Sequence, residues 1–184
     1  MRLFVAIDPS AEQQEQLHRL QRDLSGSLDG VKWVPPAGLH LTLKFLGEQE
    51  QDLLPVIMEA MEEAAPAVAP FTLQFGRIGV FPSPQRARVI WTGVTAGADE
   101  IDTLAHSLEA ALVGKGFPAE RRPFKAHLTL GRIRRPLPGQ QLQPLLKART
   151  SFTTKGAPVQ SMRLYQSHLS SRGAHYTALK EIFF

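Results

Sequence analysis

No cysteine occurs among the 184 residues of the chain. Structural disulfides, cysteine-ligated zinc, iron–sulfur clusters and thiol nucleophiles are therefore excluded. No apolar run approaches the ~20 residues that a membrane-spanning helix needs. The apolar run near the N-terminus ends at Asp8 and has the length of a β-strand, not that of a secretory signal. From these absences we expect a cytoplasmic protein that has no membrane anchor.

Several motifs that bind cofactors or activate nucleophiles are also missing. The sequence has no Gly-x-Gly-x-x-Gly segment, no P-loop lysine and no serine-nucleophile elbow. Because a phosphate-cradling glycine loop is the usual way to hold a nucleoside triphosphate, we do not expect a reaction driven by ATP. The sequence therefore predicts chemistry performed by protein side chains, with no cofactor.

Acidic side chains are scarce in the second part of the chain. Residues 1–64 carry 5 basic and 11 acidic side chains, a net charge of −6, whereas residues 65–184 carry 16 and 6, a net charge of +10. Between Lys115 and Arg135, seven basic residues accompany one acidic residue, Glu120. Such a surface either attracts an anionic partner or only keeps the protein soluble, and charge alone does not separate the two interpretations.

Hydrophobic periodicity predicts strands and helices that are intermixed along the chain. Adjacent strands often lack a helix between them, which favours an α+β fold with largely antiparallel sheets over a doubly wound parallel sheet. The length suits one globular domain over residues 1–184, or two small lobes that share a core. Strands are predicted at 2–7, 31–34, 39–46, 71–80, 88–94, 127–133, 161–169 and 175–184, and helices at 10–24, 51–65, 101–113 and 142–148.

The tetrapeptide His-Leu-Thr-Leu occurs twice. The first copy spans residues 40–43, and the identical second copy spans residues 127–130, 87 positions later. Both copies lie in predicted strands that follow a loop containing proline. We therefore interpret the repeat as a degenerate duplication of a unit that contains a strand, a helix and a motif strand.

Strand geometry gives the repeat a chemical meaning. Because side chains alternate between the faces of a strand, His40 shares a face with Thr42, and His127 shares one with Thr129. If the two halves pack about a twofold axis, both pairs face one cleft. Two imidazoles, whose unperturbed pKa is near ~6.5, can then supply a general base and a general acid to a phosphodiester. The threonine hydroxyls can donate hydrogen bonds to phosphate oxygens.

Two other interpretations of the motif remain open at this point. Each histidine–threonine pair could be the polar outer face of an amphipathic strand, although two identical copies make this interpretation weaker. A metal site is the other alternative, but no His-Glu-x-x-His segment and no carboxylate cluster accompanies either motif. We therefore expect no metal at the site.

Longer segments around both motifs resemble the two-histidine phosphoesterase superfamily, specifically the bacterial and archaeal RNA 2′,3′-cyclic phosphodiesterases once named 2′-5′ RNA ligases. The resemblance covers nearly the whole chain. The segments that carry it are RLFVAI at 2–7, VKWVP at 31–35, LHLTLKFLG at 39–47, GVFP at 79–82, RVIW at 88–91, RPFKAHLTLGR at 122–132, LYQS at 164–167 and GAHYTAL at 173–179.

This resemblance implies two pseudo-symmetric lobes of mainly antiparallel sheet with outer helices, and both motifs lining a central cleft. It also implies metal-independent opening of an RNA terminal 2′,3′-cyclic phosphate to a 2′-phosphate. The family assigns the first histidine as proton donor and the second as acceptor, so the resemblance gives these roles to His40 and His127. Thr42, Thr129 and Arg132 are then the residues expected to bind the phosphate.

Alternation places Arg132 on the opposite face from His127, five positions earlier. A bulge at Gly131 would turn it back toward the cleft, since glycine inside a strand often marks a bulge. The equivalent position after the first motif is Phe45, which alternation directs into the core. Lys44, in contrast, shares the face of His40 and either adds positive charge to the site or is an ordinary exposed lysine.

Three functions are compatible with these residues. The first is hydrolysis of the RNA cyclic phosphate, with reversible, ATP-independent 2′-5′ ligation as the same chemistry run backwards. The second keeps the site but acts on a small cyclic-phosphate nucleotide. The third is an RNA-binding module without catalysis. We expect a monomer whose RNA partner approaches mainly over the basic second-motif side. Candidates for stacking a terminal base are Trp33, Phe81, Phe124 and Tyr165, which the sequence does not rank.

Overall fold

Nine strands and four α-helices form the described part of the computed structural model, which comprises residues 1–137, 142–170 and 173–184. In chain order they are β1 Arg2–Ile7, α1 Ala11–Ser25, β2 Val31–Trp33, β3 Leu41–Glu48, α2 Leu54–Ala64, β4 Phe71–Phe81, β5 Val89–Ala96, α3 Ala98–Gly114, β6 His127–Ile133, α4 Gln143–Ser151, β7 Ala157–Val159, β8 Ser161–Ser170 and β9 Gly173–Phe183.

The strands join in the order β7-β4-β5-β6-β3-β1-β8-β9, with β2 added beside β6. Every strand pair among the described residues is antiparallel. The expected α+β class with antiparallel sheet is therefore confirmed. Within this order the two motif strands, β3 and β6, are neighbours at the centre.

The strand order is pseudo-symmetric about the line between β3 and β6. On one side β3 is followed outward by β1 and β8, and on the other side β6 is followed by β5 and β4. The chain segment β1–α1–β3 therefore corresponds to β5–α3–β6, each ending in a motif strand. This arrangement confirms the two-lobed fold and the duplication that the repeated tetrapeptide indicated.

Most predicted elements match the structure within three residues at each end. The α-helix predicted to begin at residue 51 begins at Leu54, because a short 3₁₀ turn precedes it and Pro55 occupies its first turn. Strand β7 was not predicted, since three residues with a central proline carry no periodic signal. The sequence also predicts a turn at 171–173 and an exposed proline-rich loop at 136–139, of which positions 171–172 and 138–139 lie outside the described residues.

Helix α1 begins at a capping box. The Ser10 hydroxyl accepts the backbone N–H of Gln13 at 3.2 Å, and the Gln13 amide oxygen accepts the backbone N–H of Ser10 at 3.1 Å. The leucines of α1 at 17, 20 and 24 join one contiguous cluster of buried side chains that also includes residues of α2 and α3. None of the helices in the described segments has both the length and the apolar character needed to cross a bilayer.

Two buried glutamines attach α1 to the sheet. The Gln13 amide donates to the backbone oxygens of Leu73 and Lys155 at 2.8 and 2.9 Å. The Gln21 amide donates to Val34 O and Leu130 O, both at 2.8 Å. Each glutamine is at most 2% exposed. Gln21 therefore satisfies a carbonyl of the second motif itself, and fixes that strand against the helix.

We expect Gln21→Leu to lower the free energy of unfolding by about 1–3 kcal/mol, because Val34 O would lose the Gln21 donor and Leu130 O would keep only the backbone N–H of Val34. Urea unfolding followed by circular dichroism measures the change. Gln51→Leu is the matched control, since Gln51 is exposed and its side chain makes no recorded hydrogen bond within the described residues. An equal effect of the two substitutions would contradict this role of Gln21.

Candidate active site

The two motif strands cross at a single residue pair, Leu41 with Leu128. Both leucines are fully buried, so the flanking histidines and threonines lie on the opposite face. Because the strands are antiparallel, His40 lies on the side of Thr129, and Thr42 lies on the side of His127. The four motif side chains are half-buried, as expected for residues that line a cleft. The structure thus brings together both motifs.

Each motif imidazole is held by a backbone carbonyl two residues before it. The distance between His40 Nδ1 and Gly38 O is 2.8 Å, and that between His127 Nδ1 and Lys125 O is 2.6 Å. Because a carbonyl oxygen only accepts, Nδ1 carries the proton in both rings. The other nitrogen, Nε2, makes no recorded hydrogen bond within the described residues. In the neutral ring Nε2 is therefore a proton acceptor, and in the charged ring it is a proton donor.

Both motif strands contain a bulge at the last leucine of the motif. The pairing of β5 with β6 skips Leu130, and the pairing of β1 with β3 skips Leu43. In β6 the bulge exposes Arg132, whose charge acts on the His40 imidazole. The bulge expected at Gly131 is therefore present one residue earlier. Gly131 itself allows the close approach of β2, because a Cβ there would lie 2.7 Å from the side chain of Val31.

The bulge at Leu43 in β3 makes the sequence-based placement of Phe45 wrong. Its side chain is 48% exposed and does not enter the core, because the extra residue at Leu43 reverses the alternation that follows. Lys44 is turned inward for the same reason and is only 9% exposed. Its ammonium lies 2.6 Å from the Glu109 carboxylate on α3. The charge of Lys44 is thus neutralised, and it adds no net positive charge to the cleft.

Aromatic rings pack against His40 on two sides. Phe4 of β1 stacks on the imidazole with a centroid separation of 4.7 Å, and Tyr176 of β9 meets it edge-on at 5.0 Å. Tyr165 of β8 in turn stacks on Phe4, with a centroid separation of 5.3 Å. These rings fix the orientation of the imidazole through ordinary packing.

His127 has a corresponding pair of aromatic neighbours. Phe81 of β4 meets the imidazole edge-on at 5.2 Å, and Trp91 of β5 stacks on Phe81 at 4.9 Å. The Trp91 ring lies directly over Gly79, where a Cβ would approach ring carbons to 2.2 Å. Only glycine leaves room for the indole at that position. Each lobe therefore places a stacked aromatic pair on the two strands outside its motif strand.

Asp8, which directly follows β1, forms an ion pair and accepts hydrogen bonds from two side chains. Its carboxylate accepts hydrogen bonds from the Arg163 guanidinium and the Tyr165 hydroxyl, both at 2.6 Å. Arg163 also pairs with Glu181 at 2.9 Å. Burial, together with the neighbouring Asp8, raises the pKa of Tyr165 to about 12. Tyr165 is therefore a hydrogen-bond donor throughout the physiological pH range.

Burial lowers the pKa of His40 below its ordinary value, because it disfavours the charged imidazolium. The hydrogen bond to Gly38 O and the charge of Asp8 oppose this effect, whereas Arg132 adds to it. Burial also raises the pKa of Tyr176, beside His40. The protonation of His40 thus depends on a balance between desolvation and the nearby carboxylate.

Sequence reasoning identified the motif residues but not their neighbours. Phe4, Trp91 and Tyr176 lie within the segments that carried the family resemblance, yet their contact with the histidines depends on strand pairing. The sequence singled out Asp8 only as the residue that ends the first apolar run. Of the proposed stacking residues, Phe81 and Tyr165 belong to the aromatic groups described above, and Phe124 lines a groove beside His127. Trp33 instead lies in β2, opposite Gly131.

The described residues contain no group of three or more histidine, aspartate or glutamate side chains arranged to hold a metal ion. The arrangement is instead that of two imidazoles with their Nε2 atoms available, two threonine hydroxyls and one arginine. Such a set can move two protons and bind an anion between them.

Comparison with known sequences agrees with this geometry. The family model described as LigT like Phosphoesterase matches residues 7–91 and 93–176, and each segment contains one motif. An Archaeoglobus fulgidus protein named RNA 2′,3′-cyclic phosphodiesterase is 37% identical over 180 residues, which are 98% of each chain. A Methanothermobacter thermautotrophicus protein of the same name is 31% identical over 183 residues, covering 100% of this chain and 98% of the relative.

Solved structures give the same result for the fold. A Thermus thermophilus protein matches with a TM-score of 0.83 and 30% identity, covering 100% of this chain and 97% of the other. Escherichia coli LigT complexed with 3′-AMP matches with a TM-score of 0.78 and 27% identity, covering 99% and 97%. With two motif-containing matches, full-length relatives and a shared fold, the chain belongs to the LigT-like phosphoesterase family.

Proposed function

We propose that this protein hydrolyses the terminal 2′,3′-cyclic phosphate of RNA to a 2′-phosphate, using His40 and His127 as general acid and general base and no metal ion. The observation that carries the proposal is the antiparallel crossing of the two motifs. It places the two histidine–threonine pairs on one face, and the carbonyl hydrogen bonds at Nδ1 leave both Nε2 atoms for proton transfer. The names of the full-length relatives support RNA as the substrate.

In the proposed reaction, neutral His127 removes a proton from water through Nε2 as the water oxygen attacks phosphorus. The bond between phosphorus and the 3′-oxygen breaks, and protonated His40 donates its Nε2 proton to that oxygen. The products are a 3′-hydroxyl and a 2′-phosphate. The two imidazoles exchange protonation states during the reaction, and proton exchange with solvent restores them. Each positioned proton transfer contributes about 10²- to 10⁴-fold to the rate.

Three side chains are proposed to hold the phosphate. Thr42 and Thr129 each flank the histidine of the other motif, so that their hydroxyls can donate to the non-bridging oxygens. Arg132, exposed by the bulge at Leu130, supplies positive charge near His40. A guanidinium at this position stabilises the extra negative charge that develops on the phosphorane oxygens in the transition state.

The substrate class is tested by incubating the protein with RNA that ends in a 2′,3′-cyclic phosphate, in EDTA. We expect complete turnover that the chelator does not change, with the phosphate mapped to the 2′ position. Turnover of a small cyclic nucleotide but not of RNA would assign the second function considered above. Binding of RNA without turnover of either substrate would overturn catalysis altogether.

The two histidines are tested by His40→Ala and His127→Ala. Each substitution should lower kcat for a 2′,3′-cyclic nucleotide by about 10²- to 10⁴-fold, because one proton transfer is lost. His168→Ala is the control, since His168 lies on β8, where its ring stacks on His175. Wild-type turnover in either motif variant would rule out the mechanism.

The effect of the Asp8 carboxylate on His40 is tested by Asp8→Asn. As the general acid, His40 must be protonated, so the fraction of protein with a protonated His40 falls when the pH rises through its pKa. Burial lowers that pKa and Asp8 opposes the effect, so neutralisation of Asp8 should move one limb of the bell-shaped kcat/KM profile to lower pH.

Tyr165→Phe serves as the control for Asp8→Asn, because it keeps the Asp8 carboxylate and the stacked ring. Its profile should stay closer to that of the wild type than the profile of Asp8→Asn does. If the profile of Asp8→Asn superimposes on that of the wild type, the Asp8 carboxylate does not set the protonation of His40.

A further inference from the structure

Phe45 occupies the position in the first motif strand that Arg132 occupies in the second. Each follows its motif histidine by five residues, and each follows the bulge at the last motif leucine. The bulges turn both side chains outward, so that Phe45 is 48% exposed. An exposed aromatic ring at this symmetry-related position can stack on a planar ligand.

Phe45 lines a groove of about 940 Å³ between β3, α3 and the segment 119–125. Thr42 and His127 also line this groove, which therefore opens directly into the catalytic cleft. The Arg2 guanidinium lies 4.9 Å from the centre of the Phe45 ring and is not among the groove residues. The aromatic ring is thus supported by Arg2 and remains accessible from the groove.

The acidic side chains of the groove are already engaged. Glu109 pairs with Lys44 and accepts the backbone N–H of Glu120, both at 2.6 Å. Although partial burial opposes ionisation, the hydrogen bonds from Lys44 and from that backbone N–H keep the pKa of Glu109 below its usual value. The Glu120 carboxylate in turn accepts the backbone N–H of Arg121 at 3.0 Å. These contacts also shape the segment that carries Arg121 and Arg122, both exposed at the groove.

An aromatic ring and two arginines beside a phosphate site match the chemistry of single-stranded RNA. Such RNA is bound by stacking its bases on aromatic rings and by pairing its phosphates with cationic side chains. When the terminal cyclic phosphate lies between the motif histidines, the RNA chain continues through the 5′-oxygen of the terminal nucleotide. The preceding nucleotide must therefore leave the cleft along an open surface, and this groove begins at Thr42 and His127.

A second groove, of about 900 Å³, lies beside Arg77 and Trp91. Unlike the first, it is lined by none of the four motif side chains. It shares with the first groove only Phe124 and Lys125, which form the boundary between them. A nucleotide joined directly to one in the cleft therefore fits the first groove.

We propose that the groove beside Phe45 binds the penultimate nucleotide of the RNA substrate, with its base stacked on Phe45 and the RNA backbone held by Arg121 and Arg122. This inference rests on the proposed cyclic phosphodiesterase function and extends it, since the enzyme would bind the penultimate nucleotide as well as the terminal one. The position equivalent to Arg132 thus binds a base in one lobe and phosphate in the other.

The test compares a 2′,3′-cyclic mononucleotide, a trinucleotide ending in a 2′,3′-cyclic phosphate, and the same trinucleotide lacking the penultimate base. Phe45→Ala should lower kcat/KM for the intact trinucleotide about ten-fold more than for the mononucleotide, the loss of one base–aromatic stack. It should have no such additional effect on the trinucleotide that lacks the penultimate base. Replacing both arginines, as Arg121→Gln with Arg122→Gln, should weaken both trinucleotides, and the loss should shrink at high salt.

Phe183→Ala and Arg22→Gln are the matched controls, because these exposed residues lie away from the groove. An equal effect of Phe45→Ala on all three substrates would overturn the proposal, as would coupling to the terminal base instead of the penultimate base. Dissociation constants for labelled trinucleotides on the His127→Ala background provide a measurement independent of turnover. If the wild-type protein turns over none of the three substrates, the proposed function fails, and these constants still decide whether the groove binds RNA.

Discussion

The single antiparallel contact between Leu41 and Leu128 is the constraint on which the cleft depends. It buries both leucines and thereby directs the alternate side chains of two strands to the same open face. The two strands come from opposite lobes, so the contact also joins the halves of the fold. Neither motif is a complete catalytic group by itself, because the proposed reaction needs one proton donor and one proton acceptor. The crossing supplies both from a duplicated sequence.

Duplication creates two equal sites, and the surroundings make them different. His40 is stacked on Phe4, lies near Asp8 and has a lowered pKa, whereas His127 packs against Phe81 and Trp91. Charge and burial around the two rings thus differ although the tetrapeptides are identical. Such differences let two copies of one residue type perform opposite proton transfers. The asymmetry therefore comes from the residues that surround each motif strand, and not from the motif residues themselves.

Much of this architecture could be predicted from the sequence because its signals are local. Alternation, capping residues and proline positions identified most strands and helices, and the repeated tetrapeptide indicated the twofold relation. The prediction was wrong for Phe45 and Lys44, because a bulge adds one residue and reverses the direction of the side chains that directly follow it. A bulge depends on the register with a neighbouring strand, which the sequence of one strand does not contain. The small strand β7 was missed for a related reason, since it exists only through its pairing with β4.

By itself, the sequence determined which residues form the candidate catalytic set and that they lie on two strands with the same pattern. Only the tertiary structure decided which neighbours orient them: the carbonyls that hold each Nδ1, the aromatic rings that pack on each imidazole, and the carboxylate of Asp8. The physical reason is the separation along the chain over which each effect acts. Side-chain alternation is a property of consecutive residues, whereas strand pairing, burial and electrostatic fields join residues that are far apart along the chain. The absence of cysteine excluded thiol chemistry from the start, and the fold then showed how two imidazoles are placed to act together.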